Sequence, residues 1–475
     1  MGLANDFKKG IFFSALGKYS NVVIQLIVNA VLSRILTPED YGIVAVVNVF
    51  LIFFQMLVDF GIGPAIIQNK TLDKNDIKNI FAFSIYLAIF LGILFMFLGY
   101  PISIFYQDDV YIPISIILGI CVVFYALLVV PQSILLREKK FSSVNMITVL
   151  ANLLSGLISI VLAFAGFKYY SLIIGNIVKA FVMFLVFFLQ SKVKLQFKTG
   201  KESLMKIYSF SKNQFAFNFI NYFSRNLDKM LIGRFMSPSA VAYYDKAYQV
   251  SLYPNQTLTN VITPVIQPIM SEYETDKQRI KNVYLKITLV LGIIGVPLSV
   301  FLFFSASEVI LFLFGNQWGN SVMTFQILSV SVWVQMISSS TGSIYQSANR
   351  TDLLLLSGVL SAITNITSIF IGVYFGRIEY VAIMIVISFG INFLMNNYLL
   401  MYRLFESSYA EYFKVLIKPF VIGAIQLIGF LLLPYLHYSV FINLFIKCGL
   451  FVILFIIGIL VTGQIKLFKG IISKQ

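Results

Sequence analysis

Two segments of the chain carry cationic and amide side chains at the spacing of one helix face. The first includes Lys18, Asn21 and Gln25, which follow one another at intervals of three and four residues. A second segment, 200 residues later, repeats the pattern with Asn221, Arg225 and Lys229. Arginine and lysine bind oxyanions, and the guanidinium fork suits phosphate oxygens, whereas amides suit sugar hydroxyls. The two stripes predict a site for a phosphate-bearing glycoconjugate.

The helices that carry these stripes must lie in a membrane. Of the 475 residues, 59% are hydrophobic and 12% are charged, against roughly 25% charged residues in soluble domains. Apolar runs of about 20 residues, each able to cross a hydrocarbon core, recur along the chain. The sequence therefore predicts an all-α, polytopic membrane protein and excludes a soluble enzyme. The fourteen predicted spans are 12–33, 42–67, 80–104, 113–136, 144–166, 170–190, 213–235, 242–269, 286–304, 319–345, 353–375, 379–402, 415–435 and 440–463.

Charge inside the membrane selects the candidate site residues. A lysine or arginine at the bilayer centre costs about 2.5–3.5 kcal/mol on insertion scales, so these groups should face a bundle interior or a wet cavity. The predicted substrate-binding residues are Lys18, Asn21, Gln25, Asn221, Arg225, Lys229 and Lys246. The candidates for coupling transport to a cation gradient are Asp59, Asp228 and Asp245.

Several of these charged residues have a structural alternative to a role in the site. Asp228 lies three residues after Arg225 and can neutralise it within the helix. Asp245 and Lys246 lie near a predicted helix end and suit a membrane interface. The lysines at 179, 418 and 447 can likewise reach an interface with their long side chains.

Cysteine and histidine content argues against metal and disulfide chemistry. Cys121 and Cys448 both lie inside apolar spans, and His437 is the single histidine. A disulfide framework or a Cys/His metal site is not expected, and no cofactor is predicted.

Basic residues predict the orientation, because short cytoplasmic loops collect lysine and arginine. With both termini in the cytoplasm, the predicted outside loops hold only Arg34, Lys168, Arg234 and Arg377. The first apolar run contains Lys18 and no small-residue cleavage pattern, so it is expected to be retained as a helix rather than removed as a signal peptide.

An internal repeat organises the predicted spans. A shift of 200 residues superimposes SRILTPEDYG on GRFMSPSAVA and aligns Pro38 with Pro238 and Pro64 with Pro264. Spans 1 and 7 begin on the same side, which predicts two parallel six-helix lobes facing a central cavity, with spans 13 and 14 added. The predicted lobes are 1–200 and 201–403, followed by 404–475 with two helices and a cytoplasmic tail. The alternative is chance similarity between apolar hairpins.

Longer segments resemble a known family. The stretches LSRILTPEDYGIVAVVNVFLIFFQMLVDFGIGPAIIQ at 32–68 and NLDKMLIGRFMSPSAVAYYDKAYQV at 226–250 are similar to bacterial polysaccharide-export flippases of the Wzx type. PQSILLREKKF at 131–141 and LFLFGNQW at 311–318 resemble the WzxC-like branch. These flippases belong to the multidrug, oligosaccharidyl-lipid and polysaccharide exporter (MOP) superfamily.

The resemblance implies a function as well as a fold. It implies alternating-access transport of an undecaprenyl-diphosphate-linked oligosaccharide from the cytoplasmic to the external leaflet of the bacterial cytoplasmic (inner) membrane. The transported oligosaccharide would serve the assembly of a capsule, exopolysaccharide, O-antigen or teichoic acid. Related lipid flippases use cavity cations for the diphosphate, and Lys18, Arg225 and Lys229 occupy comparable positions. Membrane lipids and other glycan-assembly proteins are the further expected partners, and nucleic acid is not.

Two other functions are alternatives to this one. Cation-coupled multidrug efflux, found in the same superfamily, predicts cavity acids that outnumber bases. A membrane glycan polymerase or ligase predicts a large external loop with catalytic residues. The sequence has neither feature.

Overall fold

The computed structural model describes residues 2–59, 62–69, 71–206, 222, 226–271, 273 and 276–465, with side chains omitted at 2–16, 18, 258–269 and 271. Over these residues the chain is helical and contains no strand. The helices, in chain order, are α1 (Gly2–Ile35), α2 (Pro38–Asp59), α3 (Ile62–Gln68), α4 (Lys74–Tyr106), α5 (Tyr111–Arg137), α6 (Phe141–Phe164), α7 (Tyr169–Ser191), α8 (Pro238–Ser271), α9 (Lys277–Phe304), α10 (Ala306–Phe314), α11 (Asn320–Ser329), α12 (Val332–Ser338), α13 (Thr341–Ser347), α14 (Thr351–Tyr374), α15 (Ile378–Tyr398), α16 (Tyr409–Leu432) and α17 (Val440–Val461).

Short irregular elements complete this order. A 3₁₀ turn covers Asn316–Trp318, and a π-helical turn covers Leu399–Leu404 at the end of α15. Residues 201–206 and 226–235 are also helical.

Ten helices in the described residues are long and apolar enough to cross a membrane, with α2 and α3 together counted as one. An eleventh is obtained if α11 and the helices from Val332 to Ser347 form one span, bent by 48°. The predicted span 319–345 is therefore broken after Ser329. Helix α1 contributes only a shorter apolar stretch, Tyr19–Ile35, and α8 is not among the ten. The chain is a multi-pass, all-helical membrane protein.

Two helices begin earlier than their apolar runs because polar caps extend them. Helix α4 begins at Lys74 behind a capping box in which Asp73 and Asp76 bond each other's backbone amides. Helix α9 begins at Lys277, where the Asp276 side chain accepts from the Arg279 amide. Both predicted spans, 80–104 and 286–304, omitted these first turns.

The described contacts divide the chain into unit 1, Met1–Ala242, and unit 2, Tyr243–Gln475. In unit 1, α4 and α5 cross closely at two glycines. A Cβ on Gly119 would lie 2.8 Å from the Gly92 carbonyl oxygen, so only glycine permits this approach. Nearby, residues of α3, α4 and α5, among them Ile66, Phe81 and Val130, form a buried apolar cluster.

A set of polar contacts, here called the clamp of unit 1, joins residues 201–206 to the start of α4. The Asp76 carboxylate accepts from the Ser203 hydroxyl and the Lys206 ammonium, each at 2.7 Å. Asn79 donates to the Ser203 hydroxyl at 3.0 Å and accepts from the Gln196 amide at 2.8 Å. The hydrogen bond to Asp76 raises the pKa of Lys206. The connector after α7 is thereby attached to the first turn of α4.

Unit 2 holds a clamp of the same design with the charges exchanged. The ammonium of Lys281, in the second turn of α9, donates to Ser407 and Glu411, each at 3.0 Å. Here too, a segment that leaves a long helix is attached to the start of another. Lys277 makes a second, exposed pair with Glu406 at 2.9 Å, and this contact lowers the pKa of Glu406.

The last helix is attached to unit 2 by a shielded ion pair. The Lys447 ammonium of α17 donates to Glu308 at 2.6 Å and to the Phe304 carbonyl oxygen at 2.7 Å. The side chains are only 15% and 12% exposed. The sequence allows an interfacial position for Lys447, whereas in the structure the Glu308 carboxylate neutralises it.

Replacing Glu308 with Gln should destabilise the protein strongly, because it leaves the Lys447 charge shielded and unpaired. Loss of one partner of a buried pair costs about 3–5 kcal/mol, so we expect a clear fall in the melting temperature of the purified protein. The double variant Glu308→Gln with Lys447→Met should recover most of the loss. Glu406→Gln, which breaks an exposed pair, is the matched control and should shift the melting temperature little. Equal shifts for the two single variants would contradict this interpretation.

Candidate functional site: polar residues of the transmembrane helices

The first predicted stripe lies on α1, which packs against α6 in unit 1. The Asn152 amide of α6 donates to the Asn21 side-chain oxygen at 2.8 Å. A Cβ on Gly156 would contact Val28 of α1 at 2.4 Å, so the two helices are close along this face. Gln25 is exposed, and Lys18 lies in α1 with its side chain outside the described residues. Asn21 is therefore held by a partner that the stripe alone did not predict.

The second stripe is described only in part. Asn221 and Arg225 lie outside the described residues. Asp228 is 3% exposed, and its carboxylate accepts from the Lys229 backbone amide at 2.8 Å. The Tyr222 hydroxyl donates to the Val49 carbonyl oxygen of α2. Asp228 and Lys229 thus lie in a segment that packs within unit 1.

Lys246 lies in an aromatic enclosure of unit 2. Its ammonium is 4.9 Å from the centre of the Phe314 ring and 5.6 Å from that of Trp318. The Tyr243 ring meets Trp318 edge-on at 5.9 Å. Only 4% of the residue is exposed. The ring faces attract the cation, which places the Lys246 ammonium between α8 and the turn that follows α10.

The three candidate coupling carboxylates occupy different surroundings. Asp59 ends α2 and accepts from the Gly63 amide at 3.4 Å, beside the break that precedes α3. Asp228 is buried next to Lys229, and Asp245 is half-buried next to Lys246. Among the described residues, no group of three His, Cys, Asp or Glu side chains could hold a metal ion.

Several polar groups in the membrane were not predicted as site residues. In unit 2, Thr364 and Asn365 of α14 hydrogen-bond with Ser388 and Asn392 of α15. In unit 1, Tyr125 of α5 lies close to Gln55 of α2. These residues are single polar positions in apolar runs. Pairing the polar positions of different helices would have required knowledge of which helices are neighbours.

The family model described as "Polysaccharide biosynthesis protein" matches residues 31–323, more than half of the chain. The chain belongs to this family. Its relatives include the teichuronic acid biosynthesis protein TuaB of Bacillus subtilis (strain 168), 24% identical over 89% of this chain and 88% of TuaB. The lipopolysaccharide biosynthesis protein WzxC of Escherichia coli (strain K12) is 23% identical over 89% of this chain and 86% of WzxC. The predicted Wzx-type membership is confirmed.

Solved structures support the same superfamily at the level of the fold. The lipid II flippase MurJ in an inward closed conformation superimposes with a TM-score of 0.73 at 15% identity, covering 94% of this chain and 98% of MurJ. An inward-facing MATE family transporter of the MOP superfamily gives 0.62 at 15% identity, covering 80% of this chain and 94% of that chain. This member of the polysaccharide biosynthesis family therefore shares the fold of these transporters.

The enclosure of Lys246 predicts that its role is packing. Trp318→Ala should lower the melting temperature, because loss of a buried tryptophan costs about 3–5 kcal/mol. Lys246→Met should retain both the melting temperature and export of the cell's surface polysaccharide. Lys277→Met, at an exposed lysine of the same unit, is the control. If Lys246→Met instead abolished export at an unchanged melting temperature, the ammonium would have to contact the substrate.

Proposed function

We propose that this protein is a flippase. It moves an undecaprenyl-diphosphate-linked oligosaccharide from the cytoplasmic to the external leaflet of the bacterial cytoplasmic membrane. The observation that carries the proposal is the family match over residues 31–323, joined to a multi-pass helical chain. Relatives named for teichuronic acid and lipopolysaccharide biosynthesis support a polymer precursor as the cargo. The polymer class is then a capsule, exopolysaccharide, O-antigen or teichoic acid.

The charge of the cavity-facing residues supports an anionic head group. Lys18, Arg225 and Lys229 provide cations, and Asn21, Gln25 and Asn221 provide amides for sugar hydroxyls. Arginine binds phosphate oxygens in a bidentate manner, and lysine acts as a point charge. Lys246 belongs to this set only if its aromatic enclosure opens during the cycle. Excess positive charge disfavours organic cations as cargo, so multidrug efflux is the weaker alternative.

The proposed layout has fourteen spans. The predicted spans 12–33, 213–235, 242–269 and 319–345 add four to the ten apolar helices. The spans form two parallel six-helix lobes, 1–200 and 201–403, and the residues 404–475 supply the last two helices. The two clamps support this repeat, because Asp76 and Lys281 lie at the starts of the third and ninth spans. The concentration of basic residues in alternate loops supports cytoplasmic termini.

The repeated turns around Pro38 and Pro238 also support the proposed layout. A Cβ on Gly42 of α2 would lie 1.9 Å from the Pro238 carbonyl oxygen, so the backbones of the two turns are in contact. This contact lies within unit 1.

Alternating access would place the oligosaccharide head group in the cavity while the polyprenyl chain stays in lipid.

Coupling to an ion gradient is proposed only through Asp59, Asp228 or Asp245. Each of these carboxylates can also serve an ordinary structural contact, as the amide bonds to Asp59 and Asp228 illustrate. Transport that ignores both proton and sodium gradients would remove all three from the mechanism.

Charge reversal tests the cationic site directly. The double variant Arg225→Glu with Lys229→Glu should abolish surface polysaccharide, because carboxylates repel the diphosphate. Arg225→Lys with Lys229→Arg keeps the charge and should retain most of the export. Surface polymer is measured by immunoblot, with the membrane level of each variant quantified in parallel. Unchanged polymer in the reversed variant, at a normal protein level, would exclude this cationic site.

Deletion of the gene tests the cargo. Lipid mass spectrometry should detect accumulated polyprenyl-diphosphate oligosaccharide while surface polymer falls, and re-expression should reverse both changes. The mass of the lipid would also identify the sugar unit. An unchanged lipid pool together with hypersensitivity to cationic dyes would favour multidrug efflux instead.

A further inference from the structure

One lysine inside unit 1 differs from three other shielded lysines in the described part of the chain. Lys447 is paired with Glu308, Lys281 is paired with Glu411, and Lys246 lies against aromatic rings. Across the described residues, Lys179 of α7 has neither an ion pair nor a hydrogen bond from its ammonium. It is half-buried and lies near the middle of the 23-residue helix.

The position of Lys179 excludes an ordinary interfacial role. It is about 15 Å from the start of α7 at 1.5 Å per residue and farther from its end, too far for a four-carbon side chain to reach either interface. The lipid-exposed stripe of α7 contains Phe181, Leu185 and Leu189. Lys179 lies about 120° around the helix from the middle of that stripe. Its ammonium therefore faces inward, where an uncompensated charge is costly.

Polar groups from neighbouring helices lie at the same depth. The Ser155 hydroxyl of α6 donates to the Gly175 carbonyl oxygen at 2.7 Å, which fixes the register of α6 against α7. One turn further along these antiparallel helices, Lys179 is level with Asn152, whose amide is bonded to Asn21 of α1.

Helix α5 contributes from the other side. Its Cys121 lies near Lys179. One turn later, Tyr125 lies close to Gln55 of α2. Each amide in this layer has two N–H donors and uses at most one in its present bond. The layer thus holds one cation, several spare donors and no described carboxylate partner for Lys179.

We infer that Lys179 is the cation of an oxyanion-binding site at the mid-membrane level of unit 1, with Gln55, Tyr125 and Asn152 supplying hydrogen-bond donors. The inference rests on the proposed flippase function for its place in transport. The ligand is a phosphate oxygen of the lipid carrier or a carboxylate of an acidic sugar. In either case, the negative charge of the bound anion neutralises the Lys179 ammonium, which has no carboxylate partner among the described residues.

Binding to the full-length protein in lipid nanodiscs tests this site with four probes. Farnesyl diphosphate carries the diphosphate and trigalacturonate the sugar carboxylates, and farnesol and maltotriose are their neutral counterparts. Lys179→Met should weaken at least one anionic probe by about tenfold or more, as expected for loss of one charge-assisted contact. Lys179→Arg should stay within about threefold of the wild type. Lys168→Met, at the residue that immediately precedes the same helix, should change nothing.

The probe that weakens identifies the source of the oxyanion. Unchanged dissociation constants for both anionic probes would overturn the inference. The melting temperature of unliganded Lys179→Met should equal or exceed that of the wild type, because the variant removes an uncompensated charge. A clear fall would instead give Lys179 a structural role and overturn the inference.

The site and the flippase proposal can fail separately. Loss of probe binding in Lys179→Met, alongside an unchanged lipid pool in the deletion strain, would keep the anion site and remove the flippase. Accumulated lipid-linked glycan, with probe binding unaffected by Lys179→Met, would do the reverse.

Discussion

The cost of placing charge in hydrocarbon governs this structure. An unpaired cation near the bilayer centre costs several times the thermal energy, so each deep lysine requires a local solution. Glu308 neutralises Lys447 in the last helix. The faces of Phe314 and Trp318 surround Lys246. Helix α17 contacts little of the protein through its apolar surface, so its attachment to unit 2 depends strongly on the pair at Lys447.

The same cost explains the neutral networks inside the units. Asparagine, serine and threonine side chains lose water when they enter the membrane and regain hydrogen bonds from each other. Asn365 and Asn392 join α14 to α15, and Asn21 and Asn152 join α1 to α6. Such bonds carry no net charge, so they hold helices together without attracting an ion. A site that binds an anionic cargo must differ from them by keeping a cation without a fixed partner.

The two clamps have a common geometry and opposite charges. In unit 1 an aspartate at the start of α4 binds a serine and a lysine, and in unit 2 a lysine at the start of α9 binds a serine and a glutamate. A clamp of either polarity fastens the chain equally well, since the attraction is symmetric in sign. This explains how the two contacts can correspond although their charges are exchanged.

The sequence by itself determined the membrane class, most helices and the family, because apolar runs, caps and extended motifs are local features. Each of the ten apolar helices overlaps one predicted span, although α4, α9 and α16 begin six or more residues before theirs. The spacing of Lys18, Asn21 and Gln25 likewise identified one polar helix face. It could not reveal that Asn152 binds Asn21 or that aromatic rings enclose Lys246. Nor could it distinguish the paired Lys447 from Lys179, which has no ion pair among the described residues. Those differences arise from partners more than a hundred residues away in two of these cases, and only packing of the helices brings such groups into contact.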